Sequence, residues 1–182
     1  MSPLQILLFL FDLYIAIMLL RFVLQLTRAD FYNPLSQFVV RMTQPLLAPL
    51  RRIIPGLGGI DWSSLLVAVL LMALKLTLGA WAALAKPGIV LDILRLTLFE
   101  MLLLVLQLAF WGVILRAVLS WVDPYSANPI ARVLAQLTDP MLKPVRRFIP
   151  PIGGLDLSPM FLTLAILLLQ WLVRNLELGV WF

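Results

Sequence analysis

The sequence predicts an all-α membrane protein, with four transmembrane helices forming two parallel tandem repeats and a short amphipathic interfacial helix between the two spans of each repeat. Three observations carry that prediction. The chain is 63% hydrophobic and only 13% charged over 182 residues, with a mean hydropathy of +1.04, whereas a soluble domain is about half apolar and about a quarter charged. Four stretches are apolar for the ~20 residues that a hydrocarbon core of about 30 Å requires. The chain also matches itself when shifted by 95 positions, so that Arg21 to Ser63 falls on Arg116 to Ser158.

The first span is expected at about residues 4–26. No basic residue precedes its apolar run and no small-residue cleavage site follows it, so it reads as a retained helix and not as a secretory signal. The first interfacial helix, about 34–54, opens at Asn33-Pro34, an N-cap followed by a proline at the first helical position. Leu35, Phe38, Val39 and Met42 then recur at helical spacing on a stretch too short to span and too apolar for water. Pro45 is expected to break or kink this helix, because its ring removes a donor and clashes with the preceding turn. The second span, about 62–84, completes a first repeat over 1–90. The second repeat, 91–182, runs through a span at about 96–121, an interfacial helix at about 129–149 opened by Asn128-Pro129 and interrupted by Pro140, and a span at about 159–178.

The repeat rests on unusual residue types and not on shared hydrophobicity. Asn33-Pro34 matches Asn128-Pro129, Thr43 and Pro45 match Thr138 and Pro140, and Pro49, Arg51, Arg52 and Pro55 match Pro144, Arg146, Arg147 and Pro150. Gly58-Gly59, Asp61 and Ser63 match Gly153-Gly154, Asp156 and Ser158. Each unit holds two spans, an even number, so both copies enter the membrane in the same direction, related by an approximate two-fold axis along its normal.

This pattern, N-P, T-x-P, P-x-R-R-x-I-P and G-G-x-D-x-S in each copy, resembles the YggT family of small bacterial and plastid membrane proteins over essentially the whole chain. Ser64 stands where Pro159 completes the second copy's D-x-S-P, and Leu26 where the second copy has Trp121. The resemblance implies a two-unit protein of the proteobacterial inner membrane. It implies roles in cell division and nucleoid distribution, in membrane-complex biogenesis, or in osmotic tolerance and potassium handling, and it supplies no catalytic residue.

Eight of the fourteen basic residues lie between the spans of a repeat: Arg28, Arg41, Arg51, Arg52, Arg132, Lys143, Arg146 and Arg147. The positive-inside bias therefore makes those segments cytoplasmic and both termini periplasmic. Trp62 and Trp121 then mark the inner interface, with Trp81 and Trp181 at the outer one. Arg51-Arg52 and Arg146-Arg147 admit two readings: contacts for anionic headgroups or an acidic protein partner, at about 1 kcal/mol per basic residue, or topology control alone.

Charges inside spans cost about 2.5–3.5 kcal/mol on insertion scales and face a partner or a cavity. Asp12 and Lys75 fall at similar depths at 1.5 Å per residue and are expected to pair, while the shift converts them to a pair of amides, Gln107 and Gln170. These pairs read as clasps between the helices of a unit, with a proton or cation relay through Asp12 as the sharper alternative. Arg21 with Asp61, and Arg116 with Asp156, are the expected repeated ion pairs, each aspartate also capping its helix. The double glycines allow a sharp turn just before them. Glu100 is expected to reach the interface or Arg95, and Trp111 and Trp171 to serve packing.

Histidine and cysteine are both absent, which excludes imidazole bases, thiolate nucleophiles and the usual ligands of zinc, haem or iron-sulfur clusters. No enzyme activity, cofactor, metal site or direct nucleic-acid binding is expected. The leading expectation is a non-enzymatic scaffold or assembly factor whose partners are an anionic bilayer surface, another membrane protein and a second copy of the chain. A small oligomeric ion transporter or channel component, with Asp12, Lys75 and Glu100 lining a path, is the alternative.

Overall fold

A computed structural model describes residues 2–52, 54, 56, 59–82, 90–122, 128–149 and 156–179. Helix α1 (Pro3–Leu26) opens on a capping box in which Gln5 N donates to Ser2 Oγ and Ser2 N to Gln5 Oε1, satisfying donors that a helix start leaves open. It closes at Thr27, whose hydroxyl donates to Val23 O at 2.9 Å, and at Arg28, which holds φ 52° while Ala29 N reaches back to Leu24 O. A left-handed residue with a side chain costs about 1–2 kcal/mol, so this turn is held by its surroundings.

Helix α2 (Pro34–Leu50) and helix α5 (Pro129–Phe148) both start at the expected asparagine caps: Asn33 Oδ1 accepts from Leu35 N and Asn128 Oδ1 from Ile130 N. Of the two outcomes expected at the central prolines, a break does not occur. α2 runs on through Pro45 and Pro49, and α5 through Pro140 and Pro144. The physical reason is outside help on the turn before each proline. Arg21 donates to Val40 O, Thr43 and Gln44, and Tyr14 Oη to Met42 O, while Arg116 donates to Ala135 O, Thr138 and Asp139. Such contacts hold the helical path where the missing N–H alone would release it.

The remaining spans are α3 (Trp62–Ala82), α4 (Val90–Val122) and α6 (Ser158–Gly179). The expected turn around Lys86-Pro87-Gly88 and the side chains of Trp121 and Trp181 lie outside the described residues. The 33 residues of α4 cover about 50 Å at 1.5 Å per residue, more than a hydrocarbon core of about 30 Å, so α4 tilts or projects beyond it. Four apolar segments, 3–26, 62–82, 92–120 and 158–177, are long enough to cross a membrane, and in the 18-residue apolar stretch of each at most 22% is buried within the protein. Leu13, Leu70, Leu98, Leu102, Leu168 and Trp171 are outward-facing examples. Lipid is the solvent that makes such a surface stable, since each span satisfies its own backbone hydrogen bonds.

Within each repeat the two spans pack together, α1 on α3 and α4 on α6, and the interfacial helix lies against both. One core joins Ile15, Met18 and Leu19 of α1 to Leu47, Val67, Ala68, Met72 and Met101. A second, smaller one joins Leu24 and Ala29 to Val39 of α2 and Val133 of α5. The repeats meet through α3 on α4, α1 on α4 and α2 on α5. The two-fold relation is incomplete: among the described residues α6 has no packing on α1 comparable to that of α3 on α4. A connection of seven residues, 83–89, ties α3 to α4, and nothing equivalent ties α6 to α1.

Candidate functional site: two charge boxes and a cleft between the repeats

At the arginine-rich end of the first repeat, Asp61 immediately precedes α3, where it accepts from Ser64 N at 3.3 Å and from Ser64 Oγ at 2.6 Å. Its charged partners are Arg51, which donates to it through Nη2, and Arg21, whose Nε lies 3.4 Å away. Asp61 and Arg21 are buried. Burial raises the Asp61 pKa, but the hydrogen bonds from Ser64 and Arg51 prevail and hold it below the ordinary 3.8. Arg21 uses its remaining donors on α2: Thr43 Oγ1 at 2.5 Å, Val40 O at 3.2 Å and Gln44 Oε1 at 3.3 Å. One box therefore binds α1, α2 and the start of α3.

The second repeat builds the same box with a different charge partner. Arg116 again donates to Thr138 Oγ1, at 2.8 Å, and to the carbonyl of Ala135, at 3.4 Å. The expected pair of Arg116 with Asp156 does not form. Asp139 occupies the position that Gln44 holds in the first repeat, and at 2.5 Å it takes Arg116. Asp156 is instead bound by Arg146 through Nε at 2.9 Å and Nη2 at 2.7 Å, and Arg146 Nη1 lies 3.6 Å from Asp139. Burial pushes the Asp156 carboxyl up, but bonds from Ser158 and Arg146 hold it below 3.8.

The pair common to both repeats is thus Arg51 with Asp61 and Arg146 with Asp156, since the expected pair of Arg21 with Asp61 forms in the first repeat but has no Arg116–Asp156 counterpart in the second. This revises the reading of the Arg-Arg motifs. Arg51 and Arg146 are about a third exposed and committed to an aspartate, whereas Arg52 and Arg147 are exposed. The motif serine also has a contact that sequence reasoning missed. Ser63 Oγ donates to Ile54 O and Ser158 Oγ to Ile149 O, tying each second span to the end of its interfacial helix. Its recurrence exactly two residues after each aspartate was the available signal. Of the double glycines, only Gly59 lies among the described residues, and its φ of 78° is one that a side chain would strain.

Inside the membrane, Lys75 Nζ donates to Asp12 Oδ1 at 2.5 Å, joining α1 to α3. Gln107 and Gln170 form no hydrogen bond with each other among the described residues. The reason is the incomplete two-fold: α4 faces α1 and α3 as well as α6, and Gln107 lines a cleft of about 720 Å³ between the repeats. Asp12, Lys75, Glu100, Arg174 and Glu177 line that cleft too, so it carries three carboxylates and two cations. Trp111 lines it as well, and both Trp111 and Trp171 are more than half exposed. Among the described residues no three His, Cys, Asp or Glu side chains gather where they could hold a metal ion.

Fold and site together define a four-span, two-repeat helical membrane protein whose interfacial helices are pinned to the spans by arginine–aspartate boxes, buried in the first repeat and partly exposed in the second. The chain belongs to the CCB3/YggT family, which it matches over residues 1–82 and 96–176. It is 47% identical over 165 residues to an uncharacterized protein of Pseudomonas aeruginosa, covering 90% of this chain and 84% of that one. It is 45% identical over 174 residues to a Vibrio alginolyticus protein encoded in the proC 3' region, covering 95% and 94%. It is also 45% identical over 154 residues to YggT of Escherichia coli K12, covering 84% and 79%. No solved structure matches.

Proposed function

We propose that this chain is a non-enzymatic scaffold or assembly factor of the bacterial inner membrane, without cofactor, acting through one cytoplasmic platform made by α2 and α5. Both termini are then periplasmic. The observation that carries the reading is the locking of the two interfacial helices to each other and to the spans. Asn33 Nδ2 donates to Pro129 O at 2.6 Å, and Asp30 N donates to Gln136 Oε1 at 3.0 Å, both across the repeat boundary. Val39 and Val133 share a buried core beneath them. The platform is therefore pre-organised, which lowers the entropy cost of docking. Arg41, Arg52, Arg132, Lys143 and Arg147 remain exposed on it, facing anionic headgroups and an acidic membrane-protein partner. In this reading the partner belongs to cell division, nucleoid distribution or membrane-complex biogenesis, the roles that the resemblance to the family implies.

Photo-crosslinkers placed at Phe38 and Arg132 should trap one discrete membrane protein, and that adduct should fade when Arg52 and Arg147 are changed to Gln. Adducts that are equally abundant from lipid-facing Leu70 would sink the platform. Cysteine labelling that puts positions 52 and 147 on opposite faces of the bilayer would sink the topology.

A second reading is favoured by the cleft. Asp12, Lys75 and Glu100 share one cavity, as a transporter or channel component handling potassium or protons in osmotic tolerance would need. Four spans are few for a monomeric path, so this reading requires a homo-oligomer. Liposomes holding the purified protein should then pass potassium or protons, with loss in Asp12→Asn; a tight bilayer together with a strict monomer in detergent would overturn it.

A further inference from the structure

A cavity of about 740 Å³ opens at the end of α1 in the first repeat, lined by Gln25, Leu26, Arg28, Phe31, Arg51 and Gly59 among others. We infer that this cavity holds the phosphate of an anionic phospholipid headgroup.

Charge is the first argument. The first repeat's box sets Arg21 and Arg51 against Asp61 alone, because Gln44 is neutral where the second repeat has Asp139. Arg28 adds another cation at the mouth. Asp30, the nearest carboxylate in sequence, accepts from Tyr32 N and does not line the cavity. In the second repeat two aspartates balance Arg116 and Arg146, and the residue aligned with Arg28 is Asp123, which lies outside the described residues. The excess of positive charge therefore belongs to one copy only.

Geometry is the second argument. Arg51 spends Nη2 on Asp61, which leaves further guanidinium donors on a side chain about a third exposed, and an arginine fork suits phosphate oxygens. Gln25 Nε2 donates to Gly59 O at 3.3 Å and braces the opposite wall. Arg28 is the one described residue other than glycine with a positive φ, 52°. That φ belongs to the turn that closes α1, which fixes where the guanidinium stands at the cavity. Leu26 and Phe31, both about half exposed, flank the cations with apolar surface, which suits a lipid better than a free anion. The site lies where α1 ends and α3 is about to begin, the level of headgroups on the arginine-rich side.

This inference rests on the proposed topology and narrows its lipid contact from a general surface to one pocket. Native mass spectrometry of the full chain tests it, with phosphatidylglycerol, phosphatidylcholine and inorganic phosphate as probes. One phosphatidylglycerol should be retained in preference to phosphatidylcholine, and retention should fall about fivefold in Arg28→Gly and in Gln44→Asp, the effect of one charge near a headgroup. Arg28→Gly relieves the left-handed turn, so its thermal midpoint should hold or rise and loss of folding cannot mimic loss of binding. Equal retention of the two lipids, or phosphatidylglycerol retention unchanged by Arg28→Gly, overturns the site. Inorganic phosphate displacing the lipid at equal concentration overturns the lipid assignment. Changing Arg52 and Arg147 to Gln should weaken general association with anionic vesicles and leave the single bound lipid in place, which separates failure of the pocket from failure of the platform.

Discussion

The two charge boxes are built on the same positions and reach different electrostatic balances. In the first, a buried Asp61 serves two arginines and Gln44 contributes only an amide oxygen. In the second, Asp139 and Asp156 divide two arginines between them, and both carboxylates are about a third exposed. The neutral contacts are shared, since the hydroxyls of Thr43 and Thr138 and the carbonyls of Val40 and Ala135 receive the span arginine alike. Position is what the duplication preserved, and charge balance is what diverged. A single carboxylate holding one buried and one partly exposed cation is also the more fragile arrangement.

The largest effect should follow from removing that carboxylate. Asp61→Asn leaves Arg21 and Arg51 poorly compensated and should cost about 3–5 kcal/mol, read as a loss of unfolding free energy in SDS titration. Asp156→Asn should cost about 1 kcal/mol, because Asp139 remains beside Arg146 and solvent screens the site. Equal losses would show that the two boxes are energetically alike despite their burial.

Acid should reveal the same difference. Both carboxyls sit below their ordinary 3.8 in the folded protein, so the unfolded chain takes up their protons first. Their stabilisation is therefore complete above the ordinary value and is lost as pH falls through the lowered ones. The thermal midpoint should drop below about pH 4, and Asp61→Asn should flatten that acid limb more than Asp156→Asn does.

Exchanging the fourth member of each box is a smaller perturbation. Gln44→Asp should stabilise the first repeat by up to about 1 kcal/mol, and Asp139→Gln should destabilise the second by a similar amount, both measured as shifts in thermal midpoint. A destabilising Gln44→Asp would show that the first box is already neutralised by other groups. Smallest is the clasp within the membrane. A double-mutant cycle on Asp12→Asn and Lys75→Met should give a coupling of about 0.6–1.7 kcal/mol, whereas a cycle on Gln107→Leu and Gln170→Leu should give none, since those amides do not meet.

Much of the frame was legible without coordinates. Apolar length marked the spans, Asn-Pro marked the starts of α2 and α5, and the depth argument paired Asp12 with Lys75, because a straight helix converts residue number into height. The same argument failed for Gln107 and Gln170. Height places two residues at one level but leaves their azimuth free, and the azimuth of α4 is set by packing on four helices. It failed likewise for Arg116. Asp139 was visible in the sequence, but whether it or Asp156 lies under that guanidinium depends on how α5 crosses α4.

The sequence by itself determined which segments enter the membrane and that the chain is one unit written twice, because transfer of apolar surface from water acts on each segment separately. Tertiary structure alone decided which carboxylate each arginine binds, that Pro45 and Pro140 stay within unbroken helices, and that a polar cleft remains between the repeats. Those outcomes depend on helices approaching within hydrogen-bond distance, a competition among several partners that spacing along one chain does not resolve.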